Sequence, residues 1–310
     1  MARSLRDLRR KMKAIKSTRQ VTKAMELVSA SKMRRAVQNA QLLRRYALTA
    51  WAILQKLAAA HRGTHPWLQP RPVKKVLAIV FTSDRGLCGS LNTQLFRALN
   101  QYIGGLKKIS TFEKVDFVAV GRKGQQFLAR TGQNVVAAFP ALSNHPKFRD
   151  VLPMTRMALD GFAKGDYDHV VILYTDFISA LLQEPGAKVL LPFSEPELKK
   201  MIDGLSPDRH QTKEAQEAMK YEVPASEYVF EPSEEDVLNR ILPQLTEMQV
   251  YQAVLESAAS EHSARMVAMR SASDNASDIL YDLTLSYNQT RQGNITAELA
   301  ELSASKAALD

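Results

Sequence analysis

The turn Thr82-Ser83-Asp84-Arg85-Gly86-Leu87-Cys88-Gly89-Ser90 follows an apolar run and precedes a helical pattern, which is where an α/β chain would cradle a phosphate. A phosphate loop of the G-x-x-x-x-G-K-[ST] type wraps backbone amides around the oxygens and extends a lysine to the terminal phosphate, and the chain contains no such stretch. Gly121-Arg122-Lys123-Gly124 is equally far from it, and G-x-G-x-x-G is absent too. Both turns are expected to be structural. His61 and His65 have the four-residue spacing of metal ligands on one helix face, but Gly63 and Pro66 interrupt the helix that would align them. Cys88 would need an activating base to act as a nucleophile, and no histidine lies near it in sequence. The expectation is a chain with no catalytic residue, no cofactor site and no metal site of its own.

The elements around these residues are those of an open sheet. Val76 to Phe81, Val115 to Val120 and Val170 to Tyr174 are short apolar runs, the pattern of strands buried on both faces. Helical patterns lie between them at Asn92 to Leu106, Gly124 to Arg130 and Met154 to Lys164, so the alternation predicts an α/β domain over 72–231 with a mainly parallel, Rossmann-like sheet. Val189 to Phe193 and Tyr228 to Phe230 are candidates for further strands, antiparallel at an edge, and the polar stretch 203–224 reads as a surface loop.

The two ends of the chain are different in kind. Met1 to Arg62 and Gln244 to Gln292 contain no glycine and no proline. As helices they would run roughly 90 Å and more than 70 Å, too long for a compact domain. In the first, Leu5, Leu8, Met12 and Ile15 form one stripe, continued after a one-residue slip by Thr18, Thr22, Met25 and Ser29. After a second slip it resumes with Met33, Ala36, Ala40, Leu43, Ala47, Ala50, Leu54 and Leu57. In the second, Met248, Gln252, Leu255, Ala259, His262, Met266, Met269, Ser273, Ala276, Leu280, Leu283 and Tyr287 keep heptad spacing, which implies a left-handed supercoil. The two are expected to pair as an antiparallel coiled coil, 1–62 against 233–310, with the α/β domain inserted between them. Ser233 and Asp236 form a helix-start signal, and Pro243 is expected to break the second end into a short helix and a long one. Ala, Ser, Thr and Met fill many seam positions where a stable zipper carries Leu and Ile, so apolar burial is modest.

The formal net charge is +10, and residues 1–45 alone hold fourteen Lys and Arg against Asp7 and Glu26, leaving the remainder near −2. Such a segment suits nucleic acid, anionic lipid or an acidic protein surface. On residues alone, a basic coiled-coil protein that binds nucleic acid is the leading reading, with a nucleotide-dependent enzyme in the α/β domain as another. No uncharged apolar run long enough to span a bilayer occurs, and the single cysteine excludes a disulfide within the chain.

Three stretches carry a more specific signal. Residues 15–35, IKSTRQVTKAMELVSASKMRR, resemble the N-terminal helix of the γ subunits of F-type ATP synthases. Ser260 to Arg270, with Asp274-Asn275-Ala276, Asp282 to Leu285, Tyr287-Asn288, Arg291-Gln292 and Ile295-Thr296, resembles their C-terminal helix, and Ser83 to Gly89 resembles their third signature. The resemblance implies the central shaft of a rotary motor, with a coiled coil inside a ring of three α and three β subunits and the α/β domain beside the ε subunit and the membrane c-ring. It implies no catalysis by this chain, and a shaft whose rotation couples proton flow to ATP synthesis or hydrolysis on the β subunits. By the same resemblance Met25, with Lys23 beside it, matches a coupling-sensitive position, while Arg291 and Gln292 are candidates to engage a β loop transiently. The end from Ala297 to Leu309, rich in Ala and Leu, suits a tip turning in an apolar sleeve. The 203–224 loop lacks the cysteines of chloroplast forms, and a helix beginning near Met1 leaves no room for a transit peptide. A bacterial form, peripheral on the cytoplasmic face of the inner membrane, is therefore expected.

Overall fold

A computed structural model describes residues 5–60, 67–69, 71–139, 142, 144, 146–193 and 233–307, the side chains of 44–60, 234, 235, 306 and 307 excepted. The expected strand Tyr228 to Phe230, the 203–224 loop, His61 and His65 lie outside these residues. So do the seam side chains Ala47 to Leu57. The chain divides into two compact units, one of Met1–Ala30 with Arg265–Asp310 and one of Ser31–Ala264. Helix α1 (Leu5–Ala60) and helix α5 (Glu234–Ala307) each contribute to both.

In the larger unit, β1 (Lys75–Phe81), β2 (Lys114–Val120), β3 (Val135–Phe139), β4 (His169–Phe177) and β5 (Gln183–Leu191) form one sheet in the order β3-β2-β1-β4-β5. All pairings are parallel except β4 with β5. Alternation along β1 explains the uninterrupted apolar runs. Leu77, Ile79 and Phe81 enter a core with α4 (Phe148–Ala163) and the start of α5, while Val76, Ala78 and Val80 enter a second core with α2 (Leu91–Leu106) and α3 (Arg122–Arg130). A strand covered on both sides leaves few positions for a polar residue, and Asp116 of β2 fills one only with hydrogen-bond partners. The edge strand β5 does carry Pro185 and Gly186, which an edge tolerates because one row of its backbone groups needs no ladder partner.

Helix α5 begins where Ser233 Oγ accepts the Asp236 N–H at 3.1 Å and donates to Asp236 Oδ2 at 2.6 Å. The expected break at Pro243 does not occur: the helix runs through it from Glu234 to Ala307. Pro243 can donate no hydrogen bond to the preceding turn. Leu238, Leu242 and Leu245 around it are buried in the first core, and that packing holds the helix across the missing bond.

The seam follows the sequence pattern. In the smaller unit Leu8, Thr22 and Ser29 of α1 are buried, Leu5, Met12, Ile15 and Met25 half-buried, and Thr18 exposed. On α5 Met269, Ser273 and Ala276 are buried. Arg9 Nη2 donates to Tyr287 OH at 2.6 Å in this unit, and Ala36 packs with Ala258 and Ala259 in the other. Rising numbers on α1 meet falling numbers on α5, the antiparallel sense.

Candidate functional site

In an open α/β sheet, ligands bind beyond the carboxyl ends of the strands where the strand order reverses. Here that point is the end of β1, flanked by β2 on one side and β4 on the other. The turn after β1 is a closed polar network. Asn92 Nδ2 donates to Ser83 Oγ at 2.7 Å, Ser83 Oγ donates to the Arg85 carbonyl at 2.9 Å, and the Ser83 N–H is taken by Asn92 Oδ1 at 3.2 Å. The Asp84 carboxylate accepts the Arg122 N–H at 3.1 Å, tying this turn to the one after β2. Helix α5 lies over the crevice with Val254, Ser257, Ala258 and Glu261, leaving a cavity of about 20 Å³. That holds about one water molecule, whereas a nucleotide needs several hundred Å³. Cys88, 2 % exposed, sits in this network within 3.5 Å of Asn92 Nδ2 and is a packed residue of the turn. Among the described residues no group of three His, Cys, Asp or Glu could hold a metal.

Two buried charge clusters escaped the sequence reading. Asp116, on β2 at the opposite end of the strands, accepts from Lys114 Nζ at 2.9 Å, Asn134 Nδ2 at 2.8 Å and Tyr167 OH at 3.2 Å. Burial raises its carboxyl, but Lys114 and the hydrogen bonds outweigh burial and hold it below the usual aspartate value. Burial, then the Asp116 charge, pushes the Tyr167 phenol up to about 12. This cluster fastens the starts of β2, β3 and β4 together. The second cluster joins α5 to the antiparallel edge. Glu256, 3 % exposed, faces Asp176 of β4 and Lys188 of β5, and Lys188 in turn donates to Tyr174 OH. Burial pushes the Glu256 carboxyl up to about 7 against the pull of Lys188, and Asp176 adds to the rise. No motif marks either cluster, because their members meet only through the sheet register.

A basic hollow of about 120 Å³ lies between α1 and α5 in the larger unit, lined by Lys32, Arg35, Asn39, Lys147 and His262 among others. Lys32 Nζ donates to Asn144 Oδ1 at 2.9 Å, and His262 is 3 % exposed.

The four residues singled out by the family resemblance lie in the smaller unit. Met25 is half-buried on the seam, and Lys23 is exposed and paired with Glu26 at 2.9 Å. Arg291 and Gln292 are exposed, at the start of a stretch in which every residue from 291 to 305 is exposed. Arg9 meets Tyr287, so Arg291 lies about one turn beyond that pairing, whereas Met25 lies sixteen residues, or roughly 24 Å, along α1 from Arg9 in the other direction. The fold therefore brings Lys23 with Met25 and Arg291 with Gln292, as two separate places.

A family model described as ATP synthase matches residues 4–309. The chain is 42% identical over 313 residues to the ATP synthase gamma chain of Roseiflexus sp. (strain RS-1), covering 99% of this chain and 98% of the relative. It is also 42% identical over 316 residues to that of Herpetosiphon aurantiacus, covering 99% of each. Among solved structures it is similar to a chain of the central stalk and c-ring of the Tetrahymena thermophila mitochondrial ATP synthase, at a TM-score of 0.57 and 25% identity over 82% of this chain and 99% of that one. A rotor chain of the Euglena gracilis mitochondrial enzyme shares the fold at a TM-score of 0.58 and 18% identity, over 94% and 98%. A match running from end to end, through both long helices and the sheet between them, means that this chain belongs to the ATP synthase γ-chain family.

Proposed function

We propose that the chain is the central-stalk subunit of an F-type ATP synthase, turning inside a ring of three α and three β subunits and standing on the membrane c-ring beside ε. The observation that carries this reading is the seam: two long helices paired in antiparallel sense through Thr22, Ser29, Ala36, Ser273 and Ala276, with apolar Ile295, Leu299 and Leu302 left exposed beyond it. Small seam residues make a slim pair, and an apolar end without directional hydrogen bonds can turn against an apolar sleeve. The chain itself carries out no catalysis in this reading. Its asymmetry presents a different surface to each β subunit, and any contact whose free energy differs between two β conformations shifts their populations. Proton flow through the c-ring drives the rotation, and the complex sits peripherally on the cytoplasmic face of a bacterial inner membrane. No described helix is long and apolar enough to cross a membrane. The basic N-terminal helix, with Lys32 and Arg35 lining the hollow, faces acidic loops of the β subunits, which replaces nucleic acid as the partner for that charge.

The mass of the native complex tests this: one copy with three α and three β subunits is expected, and a homodimer without them would overturn it. The coupling role has its own test. Met25→Lys places a cation on the half-buried seam, where any ion pair with a partner must break at every turn. In vesicles carrying the reassembled complex, the ATP made per proton passed is expected to fall while the complex still assembles. An unchanged ratio would remove Met25 from the coupling path. Arg291 and Gln292 act in this reading as a catch on a β loop.

A further inference from the structure

Glu256 is closed off from water, with Oε1 accepting from Gln252 Nε2 at 2.7 Å and Oε2 lacking any donor. The group that meets it from the sheet is a second carboxyl, Asp176, within hydrogen-bonding range. Two ionised carboxylates cannot bond to each other, so the contact becomes a hydrogen bond only when one of them carries a proton. Two other groups act on Glu256. From β5 comes Lys188, whose ammonium also donates to Tyr174 of β4, and from α5 comes the uncharged Gln252. Glu184, the cross-strand neighbour of Asp176, is exposed and adds a third negative charge at the rim.

We propose that Asp176 and Glu256 form a one-proton site that clasps α5 to the antiparallel β4–β5 edge when the proton is bound and loosens the helix from that edge when it is lost. The site is outside every role assigned to the γ-chain signatures above, and it does not depend on the rotary reading. The direction of its pH response follows from linkage. The Glu256 carboxyl is raised from 4.5 to about 7, so the folded state holds a proton that the opened state has released. Its contribution to stability is greatest at low pH and is lost as pH rises through about 7.

The test is amide hydrogen exchange of the full chain between pH 5 and pH 8.5, corrected for intrinsic rates. Protection of residues 250–262 and 174–188 is expected to fall about tenfold from pH 6 to pH 8 in the native sequence. Glu256→Gln keeps the shape and can donate to Asp176 at any pH, so its protection should stay level across that range. Asp176→Asn gives the ionised Glu256 carboxylate a donor, and the midpoint of the loss should move down by a pH unit or more. A level profile in the native sequence would overturn the proposal, as would a native-like fall in Glu256→Gln. If Glu256→Gln fails to fold, the midpoint in Asp176→Asn decides, and an unmoved midpoint overturns the shared proton.

Discussion

Gly121→Ala is expected to destabilise the sheet-bearing unit by at least about 3 kcal/mol, read as a lower denaturant midpoint. Gly121 has φ +91°, and a Cβ there would lie 2.1 Å from the Thr82 carbonyl oxygen and 2.8 Å from its carbon. Neither partner can withdraw cheaply. The Thr82 N–H donates to the Val120 carbonyl at 2.8 Å, and Thr82 Oγ1 accepts the Gly124 N–H at 2.7 Å, so the turns after β1 and β2 are locked together. Gly132 supplies the comparison, since its φ is +67° but a Cβ there meets nothing within 4 Å. Gly132→Ala isolates the conformational cost, about 1 kcal/mol. Equal losses in the two variants would show that the approach of Thr82 to Gly121 is not a constraint.

That lock bears on what sequence could reveal. The turn after β1 looks from its glycines like a phosphate loop lacking its lysine, and only the structure gives the positive reason for its composition: it is a joint between neighbouring strand ends, roofed by α5. β1, β2 and β4 were legible because burial on both faces leaves an unbroken apolar run. β3 was missed, since Val135–Phe139 is five residues at an edge with alternating exposure, and β5 begins six residues before Val189, across a proline and a glycine that read as a turn. Pro243 misled for the converse reason: local propensity favours a stop, but three buried leucines around it outweigh one lost hydrogen bond. Among the described residues the seam was read nearly residue by residue, because heptad spacing is a property of sequence itself. The coupling roles of Met25, Lys23, Arg291 and Gln292 came from resemblance alone, for the contacts proposed for them lie in partner subunits. The Glu256 and Asp116 clusters were illegible, since their carboxylates are eighty and eighteen residues from Asp176 and Asn134 and meet them only through tertiary packing.

The structure also explains how a slim pair of helices can be anchored. A seam of Ala, Ser and Thr buries little apolar area, and at about 25 cal/mol per Å² it contributes far less than a leucine seam of the same length. Within the larger unit α5 does not rely on that seam. Its residues Leu238, Leu242, Leu245, Val250 and Val254 belong to the same core as β1, β4 and α4, and Ser260 Oγ donates to the Thr175 carbonyl at 3.1 Å. In the rotary reading, torque would enter α5 through this layer.

Phe162 is the keystone of that layer, and Phe162→Ala is expected to cost about 3–5 kcal/mol, with protection of α4 and residues 238–254 of α5 lost together. Its ring is fully buried where α4, the sheet and α5 meet, and the Arg71 guanidinium lies 4.2 Å above it while donating to the Phe162 carbonyl at 3.0 Å. Truncation leaves a cavity that rigid strands cannot close, and it strips the face on which Arg71 rests, so the loss exceeds simple transfer of the removed carbons. Phe162→Leu retains most of the volume but not the aromatic face, and about 1–2 kcal/mol is expected. Exchange measured across both helices distinguishes a shared core from two adjacent ones. If α4 loosened in Phe162→Ala while 238–254 kept its protection, α5 would be held by its own contacts with the sheet, and the continuous layer would not be the anchor of the helix.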